Sequence, residues 1–387
     1  MQNSLTDRLK NEARRSGFVA CAVAAAVSLP ETRRSFQERI EAGSYAGLPW
    51  FSVDRARRCT DPDLVLAGAR SIVSLAAPYA SDEYPNQPQD ELRGKIARYA
   101  WGKDYHRALE KRLRGLCQFL EAKAPGTRSR GLVDYGPLAE RAYAARAGLG
   151  WFGKSTNLLL PGVGSWVLLA EIVTTAELAP DPPLKKSCGA CTRCVDACPT
   201  GAIVGGYAVD NQRCISFQTI ENRGAIPVEL RPLIGDRLFG CDICQEVCPV
   251  GRGAASEPLP ELQPATIEAS LPELIPLLQL DEEAFRARFA GRAIMRAKRD
   301  GFVRNACVVL GNLGDCAAVP ALITCLRDSA ALVRGHAAWA LGRLGGEPAR
   351  AAMQEALLSE PDQSVREELA SALEAIETHR ETTRAGA

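Results

Sequence analysis

Eight of the fourteen cysteines in this chain of 387 residues fall between Cys188 and Cys248, and their spacing is that of metal ligands. Cys188, Cys191, Cys194 and Cys198 follow the pattern C-x2-C-x2-C-x3-C, with Pro199 next. Three closely spaced thiolates can wrap one corner of a cubane, and the fourth points away toward a second one. Cys241, Cys244 and Cys248, followed by Pro249, repeat the last three positions of that run. Leu238 occupies the missing first position, and Cys214 stands alone between the runs. The spacing therefore predicts two 4Fe–4S clusters, one on Cys188, Cys191, Cys194 and Cys248, the other on Cys214, Cys241, Cys244 and Cys198. Zinc also takes four thiolates, but usually in paired C-x2-C knuckles, and the proline after each run favours iron–sulfur. Moving one ligand to the distant Cys214 opens the chain around the second cluster, with room for another cofactor or a partner. The other six cysteines read as small core residues.

Two further constellations could do chemistry. Asp134 sits in Val-Asp-Tyr-Gly-Pro just before a helical pattern. It is either a local helix-terminus acid or a general acid in a cleft. Gly148 to Ser155 (GLGWFGKS) matches both GxxxxGK[ST] and GxGxxG. A phosphate loop needs a strand before it and a helix after it. Here a helical pattern precedes and a strand-like one follows, so the glycines read as a helix C-cap and an ATPase built on Lys154 is disfavoured. Asp104-Tyr-His106 begins a D-x-H-x-x-G cobalt-ligating pattern, but Leu109 holds the glycine position. His106 is expected to be a hydrogen-bonded structural residue.

These residues need elements to position them. Residues 1–180 mix helical and strand-like patterns, as an α/β or α+β domain does. Leu5, Leu9 and Ala13 mark an amphipathic helix leading into a buried strand. Ser71–Ala77 reads as a strand, and Tyr105–Ala122 as a helix with Leu109, Leu113, Leu116 and Leu120 on one face. A helix is predicted from Pro137 to Gly148 or Gly150, and a hairpin from Asn157–Leu160 and Trp166–Thr174 around Pro-Gly-Val-Gly. Residues 181–253 form the cysteine block and 254–266, with three prolines, a linker. Residues 267–377 hold three similar helical stretches beginning at Val303, Val333 and Val365, expected to stack as HEAT-like repeats. A frayed tail is expected over 378–387. The fold class is thus multidomain α+β: an N-terminal α/β domain, a ferredoxin-like two-cluster module and C-terminal α-helical HEAT-like repeats.

Lys and Arg number 47 against 46 Asp and Glu, so nothing global argues for nucleic acid or membrane. Locally, Arg286, Arg288, Arg292, Arg296, Lys298, Arg299 and Arg304 face one acid, Asp300, along the chain. Such a run is either a solvated face or an anion-binding surface. Arg14-Arg15 precede an apolar run too short to span a bilayer, and no small-residue cleavage site follows. A reducing, cytoplasmic setting with no membrane contact is expected.

Taken together, RYAWGKDYH from Arg98, the segment from Asp134 through AGLGWFGK to Gly164-Ser-Trp, the doubled cysteine run with CISFQTIE from Cys214, FGCDICQEVCP from Phe239 and RNACVVLGNLG from Arg304 resemble the epoxyqueuosine reductases. The resemblance runs along almost the whole chain. It implies a cobalamin between the N-terminal domain and the ferredoxin module, a relation to reductive dehalogenases, and reduction of epoxyqueuosine to queuosine at the tRNA wobble position. The clusters would feed cobalt, and Asp134 would donate a proton as oxygen leaves as water. By position, Arg98, Asp134, Ser165, Ser216, Arg223, Cys241 and Asp242 would line the corrin. Some relatives carry a cysteine where this chain has Ala97, so any role for it is absent here. The basic run then offers Arg292, Arg296, Lys298, Arg299 and Arg304 to the anticodon stem-loop, whose bases must be splayed out. A separate reductant, protein or small molecule, is implied, and the chain is expected to be a monomer. Two rival readings are a dehalogenase-like corrinoid iron–sulfur enzyme and a ferredoxin-type electron-transfer scaffold without chemistry of its own.

Overall fold

The computed structural model describes residues 4–79, 84–85, 91–251 and 257–385. Two compact units form, each from non-consecutive stretches: 1–83 with 102–214 and 242–263, and 84–101 with 215–241 and 264–387. Among the described residues no helix is long and apolar enough to cross a membrane.

The first unit is built on a four-stranded sheet in the order Ala20–Ala25, Ser71–Pro78, Val167–Thr174, Ser129–Leu132, and every pairing is antiparallel. The expected α/β domain is therefore α+β, because neighbouring strands pair without a parallel crossover. The leucines of helix Tyr105–Lys123 are buried, and Leu113 packs against Gly131 of the edge strand. Each such leucine contributes about 1.5–3 kcal/mol by leaving water. On the opposite face, Tyr143 and Ala144 of helix Glu140–Arg146 join Ile72, Val173 and Leu132 in one cluster and Ala22, Ala24 and Ala76 in the next. Strand alternation puts these two helices on opposite sides of the sheet.

That second helix starts three residues later than Pro137 predicts, because the Ala139 N–H is drawn to the Cys59 carbonyl, 2.8 Å away. It ends at Arg146, and Gly148 follows the cap, where a φ of +73° and close approach to the Pro182 carbonyl leave no space for a Cβ. The predicted hairpin does not form. Leu158–Leu159 turns back to pair with Trp151–Phe152, and Val167–Thr174 enters the main sheet, leaving one isolated bridge between Leu160 and Gly164. With a short strand inside GLGWFGKS, the segment has no helix N-terminus to cradle phosphate. The expected linker is also corrected where it is described: Leu259 and Leu262 are buried and Glu261 pairs with Arg112 at 3.0 Å, so 257–263 belong to this unit's core. Residues 252–256 lie outside the described residues.

In the second unit, helices Lys298–Leu313, Ala331–Leu344 and Gln363–Ala385 stack in register, with Val303, Val333 and Val365 buried at equivalent positions. Gly311 lets the first two meet closely: a Cβ there would lie 2.8 Å from the Trp339 ring. The last helix continues to Ala385 rather than fraying at 378.

Candidate active site

A hollow of about 900 Å³ opens in the first unit beside the sheet, and the Asp134 loop forms part of its wall. Tyr105, Phe152, Asn157, Ser165 and Leu168 also line it. Asp134 is an exposed non-glycine residue at φ +48°, in the sparsely populated left-handed region. Its carboxylate is held by two neighbours at the start of helix Tyr105–Lys123. The buried Tyr105 hydroxyl donates to Oδ2 at 2.6 Å, and His106 Nε2 stands 3.4 Å from the same oxygen. On its other side His106 Nδ1 meets Asp104 at 2.7 Å, while its ring stacks on Tyr105. Burial alone would lower the imidazole pKa, but hydrogen bonds to Asp104 and Asp134 outweigh it and raise it to about 9. At neutral pH, His106 is an imidazolium between two carboxylates. It is hydrogen-bonded, as its sequence setting predicts, and the adjacent Asp104 caps the helix and orients the ring.

The hollow also reaches the cysteine block. Asn157 lines it and donates from Nδ2 to Cys244 Sγ at 3.8 Å. Cys188, Cys191 and Cys248 surround Cys194 closely enough to oppose its ionisation, after burial itself, which suits a shared cluster. These four, with Cys198, Cys214 and Cys244, lie in the first unit, and Cys241 ends the 215–241 segment of the second. The short helices Arg193–Asp196 and Ile243–Glu246 carry Cys194 and Cys244.

The other expected corrin residues divide between the units. Ser165 lines the hollow, and the buried Asp242 belongs to the same unit. Arg98, Ser216 and Arg223 belong to the second. There the Arg98 guanidinium lies over the rings of Tyr84 and Trp101. Ser216 sits half-buried in helix Ile215–Ile220. Arg223 donates to the carbonyls of Ile220, Ala297 and Arg296.

The basic run is not the surface that its composition suggested. Arg304 is buried, donating to the carbonyls of Gln218, Asn222 and Gly224 and to Asn305, and burial lowers its pKa to about 9. Arg299 is buried against Asp328 at 2.5 Å. Neither can meet a phosphate, because acids and carbonyls distant in sequence already surround them. Arg292 donates to the Trp101 and Ala269 carbonyls, and Arg296 pairs with Glu221 at 2.8 Å. Arg286 and Arg288 pair with Glu282 and Glu268. Lys298 is exposed, with no ion pair among the described residues.

Comparison with known proteins accounts for these parts. Residues 187–251 match the 4Fe-4S double cluster binding domain, 59–135 the family described as epoxyqueuosine reductase QueG, DUF1730, and 293–374 HEAT repeats. An epoxyqueuosine reductase of Bacillus anthracis is 38% identical over 325 residues, covering 83% of this chain and 85% of that protein. One from Xanthomonas campestris is 36% identical, covering 87% and 96%. A solved epoxyqueuosine reductase with an epoxyqueuosine-modified tRNA-Tyr stem loop superimposes with a TM-score of 0.90 at 34% identity, over 96% of this chain and 99% of that one. The double cysteine run, the helical repeats and the loop bearing Asp134 therefore occur together here as parts of one known architecture, and by sequence along most of its length and by fold along nearly all of it the chain belongs to the epoxyqueuosine reductase family of oxidoreductases.

Proposed function

We propose that this reductase acts on epoxyqueuosine at the wobble position of a tRNA anticodon stem-loop, with Asp134 as the proton donor and a cobalamin seated in the hollow beside it. The observation that carries this reading is the placement of the Asp134 carboxylate on the wall of a hollow that also reaches Cys244 through Asn157. The hollow suits a large flat ligand, with apolar Phe152 and Leu168 offering faces and Ser165 and Asn157 offering polar contacts at its edge. A cobalamin bound there would supply a strongly reducing centre, and 4Fe–4S clusters on the cysteines would supply its electrons. Ser165, Asp134 and Asp242, all of this unit, are the residues proposed to hold it. Arg223 is set aside because three carbonyls engage its guanidinium.

Removing the epoxide oxygen as water consumes two electrons and two protons. His106 would pass a proton to the Asp134 carboxylate across their 3.4 Å contact while Tyr105 fixes the oxygen that receives it, Asp134 would give that proton to the departing oxygen, and solvent would supply the second. Among the cations first considered, exposed Lys298 and, once Glu221 is displaced, Arg296 remain suited to phosphate. A relative solved with a modified tRNA stem loop, and another described with a catalytic aspartate loop swung out of its active site, support the substrate and the loop.

The test is anaerobic reconstitution with iron, sulfide and cobalamin, followed by assay on an epoxyqueuosine stem-loop. Asp134→Asn should bind corrinoid and substrate yet form no queuosine. Full turnover by that variant, or failure of the reconstituted wild type to retain corrinoid, would overturn the reading.

A further inference from the structure

The second cysteine run lacks its local first ligand, and helix Lys298–Leu313 of the repeats takes hold of the chain at that point. Leu238, which stands where the missing cysteine would be, is fully buried in the second unit's core with Leu274 and Phe302. The three residues before Cys241 are pinned one by one through their backbone. The Leu238 carbonyl accepts from Asn305 Nδ2 at 2.9 Å and the Phe239 carbonyl from the Ala97 N–H at 2.8 Å. The Gly240 N–H donates to Thr219 Oγ1 at 2.9 Å. Gly240 has φ +72°, and a Cβ there would lie 2.6 Å from that of Ala97, so the turn into Cys241 has space for glycine alone.

The same amide reaches the other end of this segment. Asn305 Nδ2 also donates to the Thr219 carbonyl at 2.8 Å, in helix Ile215–Ile220, which begins directly after Cys214. The Thr219 hydroxyl in turn donates to the Ile215 carbonyl at 2.8 Å. Both side chains are buried. One side-chain nitrogen thus ties the residues that follow Cys214 to those that precede Cys241. The amide has one orientation, because its oxygen accepts from Nε and Nη2 of Arg304 at 3.1 and 2.8 Å. A second asparagine of the same helix, Asn312, grips the segment elsewhere, donating to the carbonyls of Arg231 and Gly235 at 2.8 and 3.1 Å.

We propose that Asn305, together with Thr219, is a positioning residue for the 4Fe–4S cluster that Cys241 would bind. Hydrogen bonds from the repeats replace the short covalent spacing that fixes the ligands of an ordinary run. The inference rests on the grouping of Cys241 with Cys198, Cys214 and Cys244. Hydrogen bonds to the sulfurs and solvent exposure set a cluster's reduction potential, and both follow the placement of the ligand backbone. Asn305→Asp keeps the size of the side chain and its contact with Arg304. It replaces both donors with a carboxylate oxygen facing two carbonyls, so the backbone before Cys241 loses its hold. Cys188, Cys191 and Cys194 lie outside the clamped segment, and their cluster should not respond.

The full-length chain is reconstituted with iron and sulfide in a Cys188→Ser background, which on this grouping retains only the cluster of Cys241. Its potential is read by redox titration followed by electron paramagnetic resonance, with iron release to a chelator and Tm measured alongside. Asn305→Asp should shift the potential and release iron roughly tenfold faster than the parent. Asn312→Asp should lower Tm comparably and leave potential and release rate unchanged, since it holds the segment away from Cys241. Neither readout depends on cobalamin or on turnover, so the reading of Asp134 stands or falls separately. Potential and release rate equal to the parent's in Asn305→Asp overturn the positioning role. So does an equal shift in Asn312→Asp, which marks lost stability alone. A Cys188→Ser parent that holds no cluster overturns the grouping and the inference with it. If Asn305→Asp does not fold, Thr219→Val, which keeps the side chain's shape and removes its hydrogen bonds to Gly240 and Ile215, must show the same shift, and an unshifted potential there counts against the inference.

Discussion

Tyr105 donates its hydroxyl proton to Oδ2 of Asp134 across 2.6 Å, from the first residue of a helix to a loop 29 positions further along the chain. The helix is anchored by a row of buried leucines, so the hydroxyl is a fixed point for a carboxylate on a strained backbone. Hydrogen bonds to charged groups are worth about 1.5–3 kcal/mol. Tyr105→Phe should therefore lower single-turnover kcat by roughly tenfold or more, with little change in stem-loop affinity. An unaltered rate would remove Tyr105 from the proton-delivery apparatus.

His106 sets a pH dependence whose sign follows from its raised pKa. The folded protein holds the imidazolium more tightly than the unfolded chain, whose imidazole titrates near the usual value of about 6.5. The resulting stability is complete below that value and is lost as pH climbs through about 9. Asp104 and Asp134 supply the attraction, with the rings of Tyr105 and Tyr135 packed on either side. Between pH 7 and 10 the Tm of the wild type should fall further than that of His106→Gln, and the alkaline limb of kcat should be displaced in the variant. Parallel Tm curves would contradict the assignment.

Arg304 illustrates a basic residue that works for the fold. Its guanidinium gathers three carbonyls of the 215–241 segment, and neighbouring Asn305 bridges Thr219 and Leu238. Arg304→Met leaves those carbonyls without donors in the interior and should cost about 3 kcal/mol or more, read from urea unfolding. The salt dependence of RNA binding should not change in any folded fraction.

Lys298 should behave in the opposite way. It is exposed at the start of helix Lys298–Leu313 and touches no acid among the described residues. If it contacts a phosphate, Lys298→Ala will leave Tm unchanged while flattening the log–log salt slope of stem-loop binding by roughly 0.7–0.9. An unchanged slope would place the RNA elsewhere.

The cysteine grouping is tested by metal content. Cys188→Ser should lower reconstituted iron from about eight to about four per chain while sparing the cluster that includes Cys244. Cys214→Ser should remove the other cluster and, through Asn157, disturb the wall of the hollow. Loss of all iron in either variant would mean that the two sets are not independent.

Much of the fold was legible in the sequence because its signals are local. Leu109, Leu113, Leu116 and Leu120 recur at helical steps, and all four are buried on one face. Val303, Val333 and Val365 announce a repeat, and each is buried in a stacked helix. The hairpin failed for a non-local reason: Val167–Thr174 finds more pairing partners in Ser71–Pro78 and Ser129–Leu132 than in its sequence neighbour. The expected α/β domain failed in the same way, since pairing direction is decided between strands far apart in the chain.

The sequence by itself set eight cysteines at the spacing of cluster ligands, since the geometry of a cubane is imposed over a few residues of spacing. It also marked Asp134, through the turn residues around it. Only the tertiary structure decided what the charged residues do. Arg299 and Arg304 look like surface cations along the chain, but Asp328 and a ring of carbonyls enclose them. His106 is expected to be hydrogen-bonded, but only the fold brings Asp134 to its second nitrogen. Glu171 is a charged residue within strand Val167–Thr174 that the fold removes from solvent entirely. The physical reason is common to all three. Spacing along the chain controls covalent reach, whereas the state of a charge depends on solvent access and on neighbours that only folding brings within a few ångströms.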